Sequence, residues 1–155
     1  MSGGLTDLAE PLVRLGTAAL VGALIGLNRD LYGKPTGIRL HALVAVGSAL
    51  FVMLASPFGF GSFDQAAASR IIQGIVGGIG FLGAGVILRS PGGDRIQHIT
   101  TAATIWVTAA LGSACGLGSW ALGLVAALFV LLILTFGLKL DRRFHQRSEP
   151  DDLGP

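Results

Sequence analysis

Five apolar stretches, each close to the length a helix needs to cross a bilayer, constrain this chain more than any single motif does. They run Leu8–Leu27, Leu40–Ala55, Ala67–Leu88, Ile99–Leu117 and Ser119–Leu138, against the ~20 residues that span a hydrocarbon core. The second is the shortest and is expected to extend at one end or to pack among its neighbours. Between them lie LNRDLYGKPTGIR, SPFGFGSFDQ, RSPGGDRIQH and GLGS, whose Gly, Pro and polar residues interrupt helices. The expected fold is an all-α, polytopic transmembrane bundle of about five spans.

Composition supports that class. Hydrophobic residues make up 52% of the chain and charged residues 13%, with a mean hydropathy of +0.70. A soluble domain carries about 25% charged residues, and so short a chain could not hide this much apolar surface from water. The first ten residues, MSGGLTDLAE, hold Asp7 and Glu10 but no Lys or Arg, so no cleaved targeting peptide is expected. Cys115 is the only cysteine, which rules out an intrachain disulfide and a cysteine-based zinc cluster; it reads as a small buried residue. No internal repeat is visible. Residues 1–140 read as one membrane domain, and 141–155 as a short cytoplasmic tail expected to be disordered.

The charges give the expected orientation. Arg29, Lys34, Arg39, Arg89, Arg95, Lys139, Arg142, Arg143 and Arg147 all fall on one side of the spans, leaving Arg14 and Arg70 for the other. The positive-inside rule then places the N-terminus outside and the C-terminus in the cytoplasm. Trp120 and the Phe58, Phe60 and Phe63 group would form an outer aromatic belt. The basic residues end apolar spans rather than lining one dense face with interleaved aromatics, so no nucleic-acid partner is expected.

The stretch GGIGFLGAG contains a literal G-x-G-x-x-G at Gly78, Gly80 and Gly83. A dinucleotide fingerprint also needs an alternating strand–helix series and an acidic residue about 20 positions on. Only further apolar spans follow here, and Asp94 stands alone in a loop. On a helix at 100° per residue, Gly74, Gly78 and Gly85 fall within roughly 40° of one another, with Gly77 and Ala84 beside them. Helices in lipid associate through close backbone approach at such small residues. The third span is therefore expected to be the central packing post, with Gly80 and Gly83 meeting a second neighbour or bending the helix. Trp106 is expected to fill space against it.

Polar groups within spans mark candidate functional positions. Arg14 is expected to reach for the surface. Arg70 and Gln73 open the third span, and Asp64 just before them is expected to pair with Arg70. In HITTAATIWVTAA, Thr100, Thr104 and Thr108 share one helical face, with Thr101 beside them; their hydroxyls would bond to the preceding turn or to another helix. The rim formed by Asn28, Arg29, Asp30, Lys34, Arg39, His41, Arg89, Asp94, Arg95 and His98 reads as the positive-inside signal, or as a basic pocket for lipid phosphates or an acidic partner. Glu10, near the outer end of the first span, is the one Asp or Glu inside a span, so a carboxylate-lined magnesium route is poorly supported. No catalytic constellation, cofactor motif or metal-ligand set is found, and no enzymatic activity is expected.

The runs GALIGLNRDLYGKPTGIRLHALVAVGSALF, RIIQGIVGGIGFLGAGVILR and TTAATIWVTAALGSACGLG resemble the MgtC/SapB family of bacterial membrane proteins, from roughly Leu12 to Leu138. The resemblance implies a multi-span protein of the bacterial inner membrane, associated with growth under limiting magnesium and, in intracellular pathogens, with survival in host cells. Family members are commonly named as magnesium-transport accessory proteins. An influence on other membrane machinery, including the ATP synthase and the membrane potential, is the competing family-level account. The matching positions are Arg29, Gly37, Arg39, Arg70, Gln73, Gly78, Gly80, Phe81, Gly83, Gly85, Thr100, Thr101 and Trp106. The chain departs at Asn28, where the family often has an acidic residue, and at Leu40 and Ile99. Many relatives add a soluble domain after the last span, whereas this sequence stops at DRRFHQRSEPDDLGP.

Three functional expectations follow. The first is a non-enzymatic membrane protein that modulates a membrane partner or ion homeostasis through its helix bundle, with G-x-x-x-G permitting a homo-oligomer. The second is a small carrier or channel using Arg70, Gln73 and the threonine face as a polar path. The third is a lipid-headgroup binder at the basic rim.

Overall fold

The computed structural model describes residues 6–56, 64–88 and 98–145. Its elements are α1 (Thr6–Leu31), α2 (Ile38–Met53), α3 (Gln65–Leu88), α4 (Ile99–Gly116) and α5 (Trp120–His145), with no strand among the described residues. Four of them, α1, α3, α4 and α5, are long and apolar enough to cross a membrane. α2 has 16 residues, about 24 Å of helix against a core of ~30 Å. The expected five-helix bundle is present. Phe58, Phe60 and Phe63, with Arg89, Asp94, Arg95 and Arg147, lie outside the described residues.

Two helices run further than the sequence reading placed them. α1 continues past Leu27 to Leu31, so Asn28, Arg29 and Asp30 are helical rather than looped. α5 continues past residue 140 to His145, into the stretch expected to be a disordered tail. No Gly or Pro interrupts either extension; α1 stops where Gly33 takes a left-handed φ of 60°. Asp30 then spans the turn. Its Oδ2 accepts from the Ile38 amide at 3.0 Å, capping α2 from the preceding helix. Gly37 fits because any Cβ there would strike that carboxylate.

α2 is the element that α1 and α4 close upon. A Cβ added to Gly22 would lie 2.5 Å from the His41 carbonyl oxygen, and one on Gly26 would lie 2.5 Å from Ile38 Cα. On the other side, a Cβ on Gly116 would be 2.5 Å from the Ala49 oxygen, and one on Gly112 would strike the Ala45 backbone. α1 thus runs antiparallel to α2, and α4 parallel to it, both at backbone contact. Ala18, Ala45, Ala49 and Cys115 form one buried cluster there. A larger one, of Val21, Ile25, Leu111, Ala127 and Leu134, joins α1, α4 and α5. The α4–α5 turn needs Gly118, at φ 88°.

α3 stands apart from this core. Only 6% of its span is buried within the chain, against 56% for α4. The expected central packing post is therefore peripheral. A Cβ on Gly74, Gly77, Gly78, Gly80 or Gly85 would meet nothing within 4 Å; Gly83 alone meets a neighbour, Ala102 Cβ at 3.5 Å. Trp106 does not fill space in the bundle either, being 48% exposed. Close approach needs small residues on both helices, and α2 supplies them to α1 and α4, while among the described residues the α3 glycines meet only Ala102.

Candidate functional site

The antiparallel α1 and α4 bring polar side chains together at two levels. At the first, the C-terminal end of α1 meets the N-terminal end of α4. Arg29 is buried, and its Nη2 donates to Thr101 Oγ1 at 2.7 Å. Its Nε has no partner, and among the described residues the ion pair present is Glu10 with Arg14. A buried guanidinium facing one neutral hydroxyl is costly unless a negative charge reaches it.

From Thr101 the polar seam continues inward. Thr104 Oγ1 donates to the Thr101 carbonyl at 2.7 Å, and Thr108 Oγ1 to the Thr104 carbonyl at 2.8 Å. His41 joins from α2, with Nδ1 donating to the Gly37 carbonyl at 3.1 Å and Nε2 lying 3.4 Å from Thr104 Oγ1. The carbonyl can only accept, so Nδ1 carries a proton. Thr104 spends its own proton on the nearer Thr101 oxygen, which leaves Nε2 weakly satisfied. The inward face is Thr101, Thr104 and Thr108, all buried. Thr100 is exposed, which corrects the face expected through residues 100, 104 and 108.

A cavity of about 290 Å³ opens at the same end, lined by Arg29, Lys34, His98, Thr100, Thr101 and the α5 residues Ile133, Leu134 and Gly137. His98 precedes α4 at a left-handed φ of 67° and makes no side-chain cap. The Lys34 amide donates to the Arg29 carbonyl at 2.9 Å, fixing the two basic residues side by side. Asn28 Nδ2 donates to Thr135 Oγ1 at 3.3 Å, tying α1 to α5, while its Oδ1 is buried without a partner.

The second level lies at the opposite end. Arg14 is 4% exposed, so it is built into the bundle rather than reaching for the surface. Its Nη1 donates to the Gly116 carbonyl at 2.7 Å, one of the last carbonyls of α4, and its Nη2 pairs with Glu10. A cation at a helix C-terminus satisfies both the open carbonyl and the helix dipole.

The remaining expected residues do not converge. Arg39, Asp64, Arg70 and Gln73 are exposed. Asp64 makes no ion pair with Arg70; its Oδ1 accepts from the Ala66 and Ala67 amides at 2.9 and 3.1 Å, as an N-cap of α3. Because α3 meets α4 at Gly83 and Ala102, Arg70 stands about 20 Å along the axis from the level of Thr101. A continuous path through Arg70, Gln73 and the threonines is not assembled. Among the described residues no three His, Cys, Asp or Glu side chains are grouped to hold a metal ion.

Two further features shape the core. G-x-x-x-G occurs at Gly22–Gly26 and at Gly112–Gly116 as well as at Gly74–Gly78, and the first two are the ones used within the chain. His41 was grouped with the rim, although it is fully buried. The signal for both was A-x-x-x-A at Ala45 and Ala49, a small-residue stripe on the same helix as His41.

Set against known proteins, the model of the MgtC family matches residues 15–143. The chain is 52% identical to the protein SrpB of Synechococcus elongatus, over 83% of the chain and 75% of SrpB. It is 44% identical to YhiD of Escherichia coli K12, named as a candidate magnesium transporter, over 81% of the chain and 60% of YhiD. It is 42% identical to the protein MgtC of Salmonella typhimurium, over 77% of the chain and 49% of MgtC. The chain thus spans between half and three quarters of the length of these relatives. No solved structure matches.

Proposed function

The chain belongs to the MgtC family, and on that premise we propose that it is a non-enzymatic protein of the bacterial inner membrane that serves ion homeostasis under limiting magnesium by engaging a membrane partner. The orientation belonging to this reading is N-terminus outside and C-terminus in the cytoplasm, from the distribution of Lys and Arg. The name carried by YhiD supports the link to magnesium.

One observation carries the reading. Among the described residues nothing packs on Gly74, Gly77, Gly78 and Gly85 of α3, and Gly74 and Gly78 share an apolar hollow of about 410 Å³ with Ile71, Ile75, Ile79 and Phe51. In lipid, a helix face of small residues supports association by close van der Waals contact. The partner is another membrane protein or a second copy of this chain. The test is recovery of the full chain from its native membrane in parallel with Gly78→Leu. The variant should be made and extracted like the parent yet bring down no partner; an unchanged set of partners would sink the reading.

The carrier alternative draws on the buried seam of Arg29, Thr101, Thr104 and His41. It requires purified protein in liposomes to move magnesium, protons or phosphate. Flux no greater than that of empty liposomes would remove it.

A further inference from the structure

We infer that the cavity between α1, α4 and α5 is an oxyanion site, built to hold a phosphate group against Arg29, Lys34 and the N-terminus of α4. This goes beyond the partner-binding reading and does not depend on it. Two independent observations converge on the same space. The first is the N-terminal end of α4. His98 supplies no side-chain hydrogen bond to it, and the leading amides of a helix have no acceptors within the helix. Such an end carries partial positive charge and receives anions. The second is Arg29, which is 2% exposed, has Nε without a partner, and has a neutral hydroxyl as the acceptor for Nη2. Arg29 and Thr101 are joined by that bond and both line the cavity, which places the guanidinium at its wall.

The remaining walls fit the same ligand. Lys34 adds a second cation beside Arg29, Thr100 and Thr101 add hydroxyls, and His98 adds ring nitrogens. Among the described residues that line it there is no carboxylate. Arginine presents a planar fork of donors suited to phosphate oxygens, and lysine adds a mobile point charge. At about 290 Å³ the cavity is at the small end of ligand sites. That size leaves room for a phosphate group with its waters or for a phosphodiester headgroup. On the α5 side Ile133, Leu134 and Gly137 close it, and Ile133 is 69% exposed. A phosphodiester headgroup entering beside α5 and a free phosphate entering from water present the same oxygens to the same donors.

The experiment uses the full chain in nanodiscs and two probes. In discs of neutral lipid the probe is radiolabelled inorganic phosphate; in discs containing phosphatidylglycerol it is retention of that lipid, read by native mass spectrometry. Retention of either probe is expected, and which one is retained identifies the source. Lys34→Gln leaves the buried core untouched and should weaken retention about fivefold. Arg29→Lys should weaken it about tenfold by losing the planar fork. Arg39→Gln removes an exposed charge that does not line the cavity and should leave retention unchanged. Failure to retain either probe overturns the inference, and so does an equal loss in Arg39→Gln and Lys34→Gln, which would reduce the effect to the general charge of the rim.

Discussion

The pair Gly112–Gly116 on α4 and the pair Gly74–Gly78 on α3 share one spelling and have opposite surroundings. At the first, the α2 backbone lies where a Cβ would go; at the second, nothing comes within 4 Å. Spacing alone does not distinguish them. What does is the opposing helix, since α2 offers Ala45 and Ala49 at the matching interval, while the α3 pair meets no such complement among the described residues. A small-residue stripe therefore states that a helix can be approached closely, and leaves open by what. The same four-residue motif builds the core in one place and an outward face in the other.

The sharpest way to break this comparison is to enlarge a glycine in the core. Gly112→Ala places a methyl group against the Ala45 backbone, which cannot move aside as a side chain can. Overpacking of this kind costs about 1–3 kcal/mol, more than the gain of up to ~1 kcal/mol that alanine brings to a helix. The variant should lose stability in denaturant unfolding in detergent, and Gly112→Leu should yield no monodisperse protein. An unperturbed Gly112→Leu would mean that α2 and α4 do not touch as described.

Next in size is Arg14→Leu, which tests what holds the closed end of the α1–α4 pair. It deletes a charged donor to the Gly116 carbonyl, an interaction of about 1.5–3 kcal/mol when buried. Glu10→Gln should cost far less, because Glu10 is half exposed and exposed pairs contribute at most ~1 kcal/mol. Equal losses in the two variants would shift the weight from the carbonyl to the ion pair.

Much of the fold could be read from the chain, because span length and the placement of breakers are local properties. Five helices are expected and five are present among the described residues, and of the two expectations for the shortest, extension at one end or packing among its neighbours, α2 shows close packing against α1 and α4. The end of α1 was misplaced because Asn28, Arg29 and Asp30 look like loop residues. Only the fold supplies their partners: Thr135 for Asn28, Thr101 for Arg29 and the α2 amide for Asp30. The site was legible in kind but not in membership. Arg29 and Thr101 were marked and do meet, whereas Arg70, Gln73 and Asp64 were marked and remain at the surface. The missing information was which face of each helix turns inward, and that depends on pairing between segments far apart in the chain.

The smallest expected effect is also the one that isolates the comparison best. Gly85→Ala on α3 makes the same chemical change as Gly112→Ala, in both cases about one turn before the helix end, with no atom of the described residues near the added methyl. Only the intrinsic preference for alanine over glycine then remains, worth ~0.5–1 kcal/mol toward the helix. Gly85→Ala should therefore match or slightly exceed the parent in resistance to unfolding, while Gly112→Ala falls below it, so the sign reverses between the two sites. Gly74→Ala should behave like Gly85→Ala when the chain is monodisperse in detergent. In native membrane the same α3 variants would be expected to diverge from the parent, because a partner seated on the stripe would meet the new methyl groups. A loss of stability in detergent equal to that of Gly112→Ala would place α3 inside the core after all and dissolve the distinction between the two stripes.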